Sequence, residues 1–221
     1  PYRPRRRTRA QMAREKGLEP LAERILVQRP GGPSPHVEAE GFLTAEVPSV
    51  EEALAGARDI VAERISEDPR VRGPLREKAA RWGVLATRKN PRGEDAKGVF
   101  QTYYDFTMSV ERIRPHQVLA LNRGEAEGVL RTALEVPERD WQESIQRAHP
   151  VDRRSPWAAQ ILQAGEDAAR RLLLPAVERD VRRQLTEDAE NHAISVFAEN
   201  LRSLLSGPPL PGRTVLGLDP G

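Results

Sequence analysis

Residues 175–206 read PAVERDVRRQLTEDAENHAISVFAENLRSLLS, and their spacing decides the fold class. Pro175 suits the first position of a helix, where its missing N–H is not needed. Behind it Val177, Val181, Leu185, Ala189, Ile194, Phe197, Leu201 and Leu204 return with a drifting period near 3.6. Glu178 and Arg182 stand four apart in the order that favours an ion pair. A helix of about 30 residues extends about 45 Å at 1.5 Å per residue, longer than a small compact domain requires. Such a rod connects things. Gly207-Pro208-Pro209-Leu210-Pro211-Gly212 ends it, and Thr214-Val215-Leu216-Gly217-Leu218-Asp219 reads as the start of a strand.

Working back from that rod, the chain stays helical. Ser155-Pro156 predicts the cap of a helix running to near Leu173, and Trp141–Arg147 a shorter one. Gly128–Val136, bounded by Gly128 and Pro137, reads as one strand. Pro115 opens a helix with Val118, Leu119 and Leu121 apolar, which is expected to stop at Arg123-Gly124. Val99–Phe106 carries Phe100, Tyr103, Tyr104 and Phe106. It fits either a strand or a buried turn of helix. Further upstream, Asp68-Pro69 starts a helix with Val71, Leu75, Ala79 and Trp82 as its buried stripe and Gly83 as its stop. Before it, Ser49 with Glu52 three residues on forms a capping pattern for a helix to about Ser66. Arg29–Pro35 is a Pro/Gly loop, preceded by a helix around Pro20, Leu21, Ala22, Ile25 and Leu26 and a short one over Ala10–Lys16. The expected fold is mainly α: a multi-helix scaffold with a long C-terminal helix and a minor β element.

Composition bounds what such a scaffold does. With 221 residues and a net charge of +2, the chain holds one sizeable domain or two small ones. It has no cysteine, which removes disulfide frameworks, thiolate zinc sites and cysteine nucleophiles. No apolar stretch approaches the roughly 20 residues of a membrane span, and Pro1-Tyr2-Arg3 leads into no signal-like apolar region. A soluble, cytoplasmic chain without membrane attachment is expected. The pI of about 9.3 is no sign of a global excess of positive charge, because little titrates between pH 7 and 9.

Chemistry-bearing residues are sparse. His36, His116, His149 and His192 lie far apart and show no metal-ligand spacing, so surface or capping roles are expected and no metal or other cofactor. Gly93–Gly98 looks like a phosphate loop but lacks the Gly-Lys-Ser/Thr ending. Two features remain. Arg3, Arg5, Arg6, Arg7 and Arg9 place five guanidinium groups within nine residues, beside Tyr2 and with no acid before Glu15. Guanidinium groups bind phosphate bidentately, which suits nucleic acid; a solvated tail, or an arm pinned by acids of a neighbouring helix, fits the same residues. Asp219, at the end of the last apolar segment, has the position of a metal-binding carboxylate but no acidic partners nearby in sequence.

Several segments resemble, in order, the Tex family of bacterial transcription accessory proteins. Pro1–Ala10 and Ala13–Ala22 are similar to its P-Y-K-P-K-R-R-T-R-A and A-R-E-K-G-L-E-P-L-A segments. Asp59–Glu63, His116–Gly124, Glu127–Leu130 and Ala198–Arg202 match later signatures, and Leu216–Gly221 resembles the opening strand of the family's RNase H-like (YqgF-type) domain. The resemblance implies a multidomain protein in which a C-terminal oligonucleotide-binding fold carries most nucleic-acid binding. This chain is then a fragment: 1–35 a basic arm and first helices, 36–206 the central helical scaffold, 207–221 a linker and the first strand of a truncated YqgF-like domain. Its expected role is non-catalytic, with weak binding of RNA or DNA through the arm. Two alternatives stay open. One is part of a divalent-metal nuclease whose first carboxylate is Asp219. The other is a protein-interaction module docking RNA polymerase or ribosome-associated proteins.

Overall fold

The computed structural model describes residues 7–207, 211, 212, 214 and 216–218. Helix α1 (Arg9–Glu15) starts at Thr8, whose Oγ1 accepts the Gln11 N–H at 3.0 Å, and gives way at Gly17 (φ +77°). α2 (Glu19–Val27) ends on Gln28, a non-glycine residue in the left-handed region (φ 50°). Its side-chain amide is held there on both sides, donating to Pro150 O and accepting from Asp152 N–H. The Pro/Gly loop that follows is one residue shorter than the sequence implies. Pro35 is already the first residue of α3 (Pro35–Glu40), because Ser34 caps it.

α4 (Val50–Glu67) is the hub. Ser49 Oγ accepts the Glu52 N–H as its cap, and α1, α2, α3 and the later helix over Ala158–Asp167 all pack on it. Ala53, Leu54, Ala57, Ile60, Val61, Ala62 and Ile65 are buried, more than one face of the helix. α5 (Pro69–Trp82) follows without a loop: Asp68 closes α4 and caps α5 by accepting the Arg70 N–H. Val71, Leu75 and Ala79 are buried as expected, whereas Trp82 is 52% exposed with Arg81 stacked on its ring. The stripe ends one turn early because Gly83 leaves the helix there. A Cβ on Gly83 would stand 2.3 Å from the Ala79 carbonyl oxygen.

The minor β element is a three-stranded antiparallel sheet in the order β2-β1-β3. β1 (Val84–Lys89) has no strong local signal and becomes the central strand by its pairings. β2 (Asp105–Ser109) resolves the ambiguity over Val99–Phe106: Gln101–Tyr103 form a 3₁₀ turn and the strand starts after it. β3 (Leu130–Glu135) lies within the expected stretch. α6 (Pro115–Ala126) runs through Gly124 rather than stopping there. Gly124 is buried because Leu130 and Phe100 pack where a side chain would sit; the stop is Gly128 (φ +72°).

After α7 (Glu138–Ala148), the two C-terminal helices prove to be one. α8 (Ala158–Asp167) passes through a π-helical segment, Ala168–Leu173, into α9 (Leu174–Leu205). Pro175 therefore starts no new helix. Its ring and missing N–H break the regular ladder four residues back, and the widened π turn absorbs the break. Glu178 and Arg182 also find other partners than each other. Glu178 accepts the Leu134 N–H, and Arg182 pairs with Glu125. Among the described residues, no helix is long and apolar enough to cross a membrane.

Candidate nucleic-acid interface

Of the five arginines in the basic arm, Arg3, Arg5 and Arg6 lie outside the described residues. Arg7 and Arg9 are exposed at the start of α1. Arg7 reaches along the helix to Glu15 at 3.5 Å, both largely in water, a contact worth little. Arg9, Met12 and Lys16 line a shallow groove between α1 and α4, with Glu52 and Asp59 across it.

What fixes these cations is the other face of α1. Ala10 and Ala13 are buried against α4, which offers Gly56 at the crossing; a Cβ there would meet Leu18 Cδ1 at 2.4 Å. The Thr8 hydroxyl donates to Glu63 Oε1 at 2.9 Å and Arg14 pairs with Glu63 Oε2 at 2.6 Å. Arg64, one residue on, spans to Glu19 and Glu23 of α2. Its guanidinium is held above its usual pKa by the hydrogen bond to Glu23. α1 is thus clamped to α4 through Glu63, by the Thr8 hydrogen bond at one end and the Arg14 ion pair at the other, with buried alanines between them.

Behind the groove a second ionic cluster joins α4 to the α8–π junction. Arg171 bridges Asp59 at 2.8 Å and Asp167, and Arg58 reaches Gln160. Burial pushes the Asp59 carboxyl up, with Arg171 opposing it; burial also lowers Arg58. Every member has a partner, so the cluster is a strut.

The other expected residues are dispersed. His36, His116 and His192 are exposed. His149 is partly buried and joins α7 to the α4–α5 junction through Asp68. Among the described residues, no three His, Cys, Asp or Glu side chains gather as a metal site. Thr214 and Leu216–Leu218 are not paired into a sheet, and Asp219 lies outside the described residues.

One surface went unread in the sequence. Val177, Val181 and Ala189 of the long-helix stripe are buried, but Ile194 (66% exposed), Phe197 (68%) and Leu204 (80%) are in water. The rod leaves the body of the protein near residue 190 and carries its apolar stripe with it. Periodicity marked the stripe but not the point where its partners end.

A family model described as Tex central region-like matches residues 32–197. An uncharacterised protein of Bacillus subtilis, YdcI, is 39% identical over the whole chain, which covers 31% of that protein. The transcriptional accessory protein Tex of Neisseria gonorrhoeae is 34% identical over the whole chain, covering 30% of its length. Human S1 RNA-binding domain-containing protein 1 is 30% identical over 97% of the chain and 22% of its own length. The chain therefore spans less than a third of the curated relatives it matches.

Proposed function

Because the chain belongs to the Tex family, whose central region it matches, we propose that it is the non-catalytic helical scaffold of a nucleic-acid-binding transcription accessory protein. In this reading Arg3, Arg5, Arg6, Arg7 and Arg9 contribute a weak phosphate-binding arm. The observation that carries it is the placement of Arg9, exposed on a helix whose opposite face is locked to α4, with Arg7 exposed just ahead of that helix's cap. A cation held on a rigid support loses less freedom on binding than one on a free tail. Guanidinium–phosphate contacts carry no base information, so this binding has no sequence preference, and RNA and DNA single strands serve alike. The names of relatives that carry transcription-accessory and RNA-binding descriptions agree with such a partner.

The test is anisotropy of a labelled single strand with the 221-residue chain across a salt series. If three to five arginines engage, the slope of log K against log salt is about −2 to −3.5, at −0.7 per phosphate. Neutralising all five removes that contribution and leaves the helical circular dichroism unchanged. An unchanged slope rejects the arm. Loss of the folded signal instead means that the arm belongs to the packing of α1.

A second reading, a protein-docking scaffold for the transcription machinery, is favoured by the exposed stripe Ile194–Phe197–Leu204. Binding to purified RNA polymerase in the absence of nucleic acid, lost in Phe197→Ser, supports it. Equal binding by that variant counts against it.

A further inference from the structure

The outer face of the sheet places two arginines directly opposite each other. In the β1–β3 register Arg88 faces Arg131, and on its other side Arg88 faces Asp105 of β2. Both arginines are exposed. Like charges directly opposed across a strand pair destabilise a sheet, so such a pair calls for a reason. Nearby cations are neutralised: Arg182 by Glu125 on the inner side of the sheet and Arg123 by Glu127 on α6. Arg88 and Arg131, by contrast, meet no carboxylate within ion-pair distance among the described residues, Asp105 included.

The surroundings suit an elongated anion. The next row of the same face is Thr107, Ala86 and Ala133, side by side in register. These small side chains make a low floor, and Ala86, Arg88, Lys89, Arg131 and Ala133 line a shallow open concavity over it, with Glu135 at the far end, two rows from the arginines. Lys89, next along β1 at the strand end, holds its ammonium over the Tyr104 ring at 4.8 Å. The support is rigid: Thr87 and Thr132, on the underside, share a hydroxyl hydrogen bond at 3.2 Å. Arg88 and Arg131 spring from adjacent strands a spacing of about 5 Å apart, so their guanidinium forks can reach the oxygens of one phosphate or of two neighbouring ones.

Resting on the reading of this chain as a nucleic-acid-binding scaffold, we propose that this face, centred on Arg88 and Arg131, is a second binding surface for the sugar–phosphate backbone of a single-stranded nucleic acid, separate from the N-terminal arm. The floor bears no aromatic side chain on which bases would stack, so the contact reads phosphate and not sequence. An extended strand fits better than a compact anion because the cations stand at one end of an open floor and not around an enclosed pocket.

The experiment compares Arg88→Ala/Arg131→Ala with the five-arginine arm variant and with both sets combined, using a labelled oligouridylate at low salt. The pair variant is expected to weaken binding roughly tenfold and to make the salt slope shallower by about 1.4, two phosphates at −0.7 each. The loss should recur in the arm-neutralised background, which separates this site from the arm. Methyl resonances of Ala86 and Ala133 should shift on titration of the oligonucleotide, a readout that needs no variant. An unchanged slope in the pair variant, or unmoved alanine methyls, overturns the proposal. So does polyglutamate binding as tightly as the oligonucleotide with the same dependence on Arg88 and Arg131, which assigns the face to an acidic protein surface.

Discussion

The backbone N–H of Thr132 donates to Glu125 Oε1 at 2.9 Å, and two residues on, the Leu134 N–H donates to Glu178 Oε1 at 3.1 Å. β3 is an edge strand, and these are the groups its missing neighbour would have paired. One carboxylate comes from α6 and the other from α9, so the two helices close the edge that would otherwise recruit another strand.

Glu125 also carries Arg182, which extends to Asn122 and the Thr132 carbonyl. Glu125→Ala strips an acceptor from a partly buried N–H and a counter-ion from a partly buried guanidinium. The expected cost is about 2–4 kcal/mol. For a chain of this size that lowers Tm by roughly 5–12 °C in a thermal melt. Glu125→Gln, which keeps an acceptor, should recover part of the loss. A wild-type melt for the alanine variant would show that the edge is held by other groups.

Gly56 is where α1 rests on α4. Gly56→Val drives a side chain into Leu18, which is 1% exposed and has no room to turn. Overpacking of this kind costs about 2–3 kcal/mol, more than the helix propensity gained by removing a glycine. Faster hydrogen exchange over Arg9–Glu15 is the specific sign. A variant as stable and as protected as wild type would remove Gly56 from the clamp.

Asp68 joins three pieces of structure: it closes α4, caps α5 and pairs with its Arg70, and lies 3.0 Å from His149 Nε2 at the end of α7. The Arg70 side-chain hydrogen bond, with help from its backbone N–H and from His149, holds the carboxyl at about 2 against the opposing effect of burial. Its ordinary value is 3.8, so the folded state binds this proton less readily than the unfolded one. The resulting stability is present above about pH 4 and is lost as pH falls from 4 towards 2, on the order of 1 kcal/mol after allowing for solvent around Arg70. The Tm gap between wild type and Asp68→Asn should therefore narrow over that range. A gap that stays constant from pH 5 to 2 would refute the linkage.

The two halves of α9 should respond oppositely to truncation. Val177→Ala leaves a hole in a fully buried position and should cost about 2 kcal/mol. Ile194→Ser and Phe197→Ser remove side chains already in water and should stay within about 0.5 kcal/mol of wild type. Urea titration distinguishes them. A large loss for Phe197→Ser would mean that this half of the rod is covered in solution.

Much of the helical order was legible in the sequence because its signals are local. Ser49 and Asp68 cap helices through N–H groups three and two residues ahead, and Gly17 adopts a backbone angle that other side chains resist. The arginine cluster was likewise visible as composition. Its anchoring was not: Glu63, which fixes Thr8 and Arg14, stands 55 and 49 residues away along the chain.

What only the tertiary structure decided are the outcomes that depend on a distant partner. A 3.6-residue stripe specifies an apolar face but not how far a neighbour extends along it, so Val181 is buried and Phe197 is not. Gly124 stays inside a helix because Leu130 and Phe100 occupy the space beside it, and Pro175 stays inside another because a π turn takes up its missing hydrogen bond. β1 is a strand only because β2 and β3 flank it. That same pairing, which no local preference encodes, sets Arg88 against Arg131.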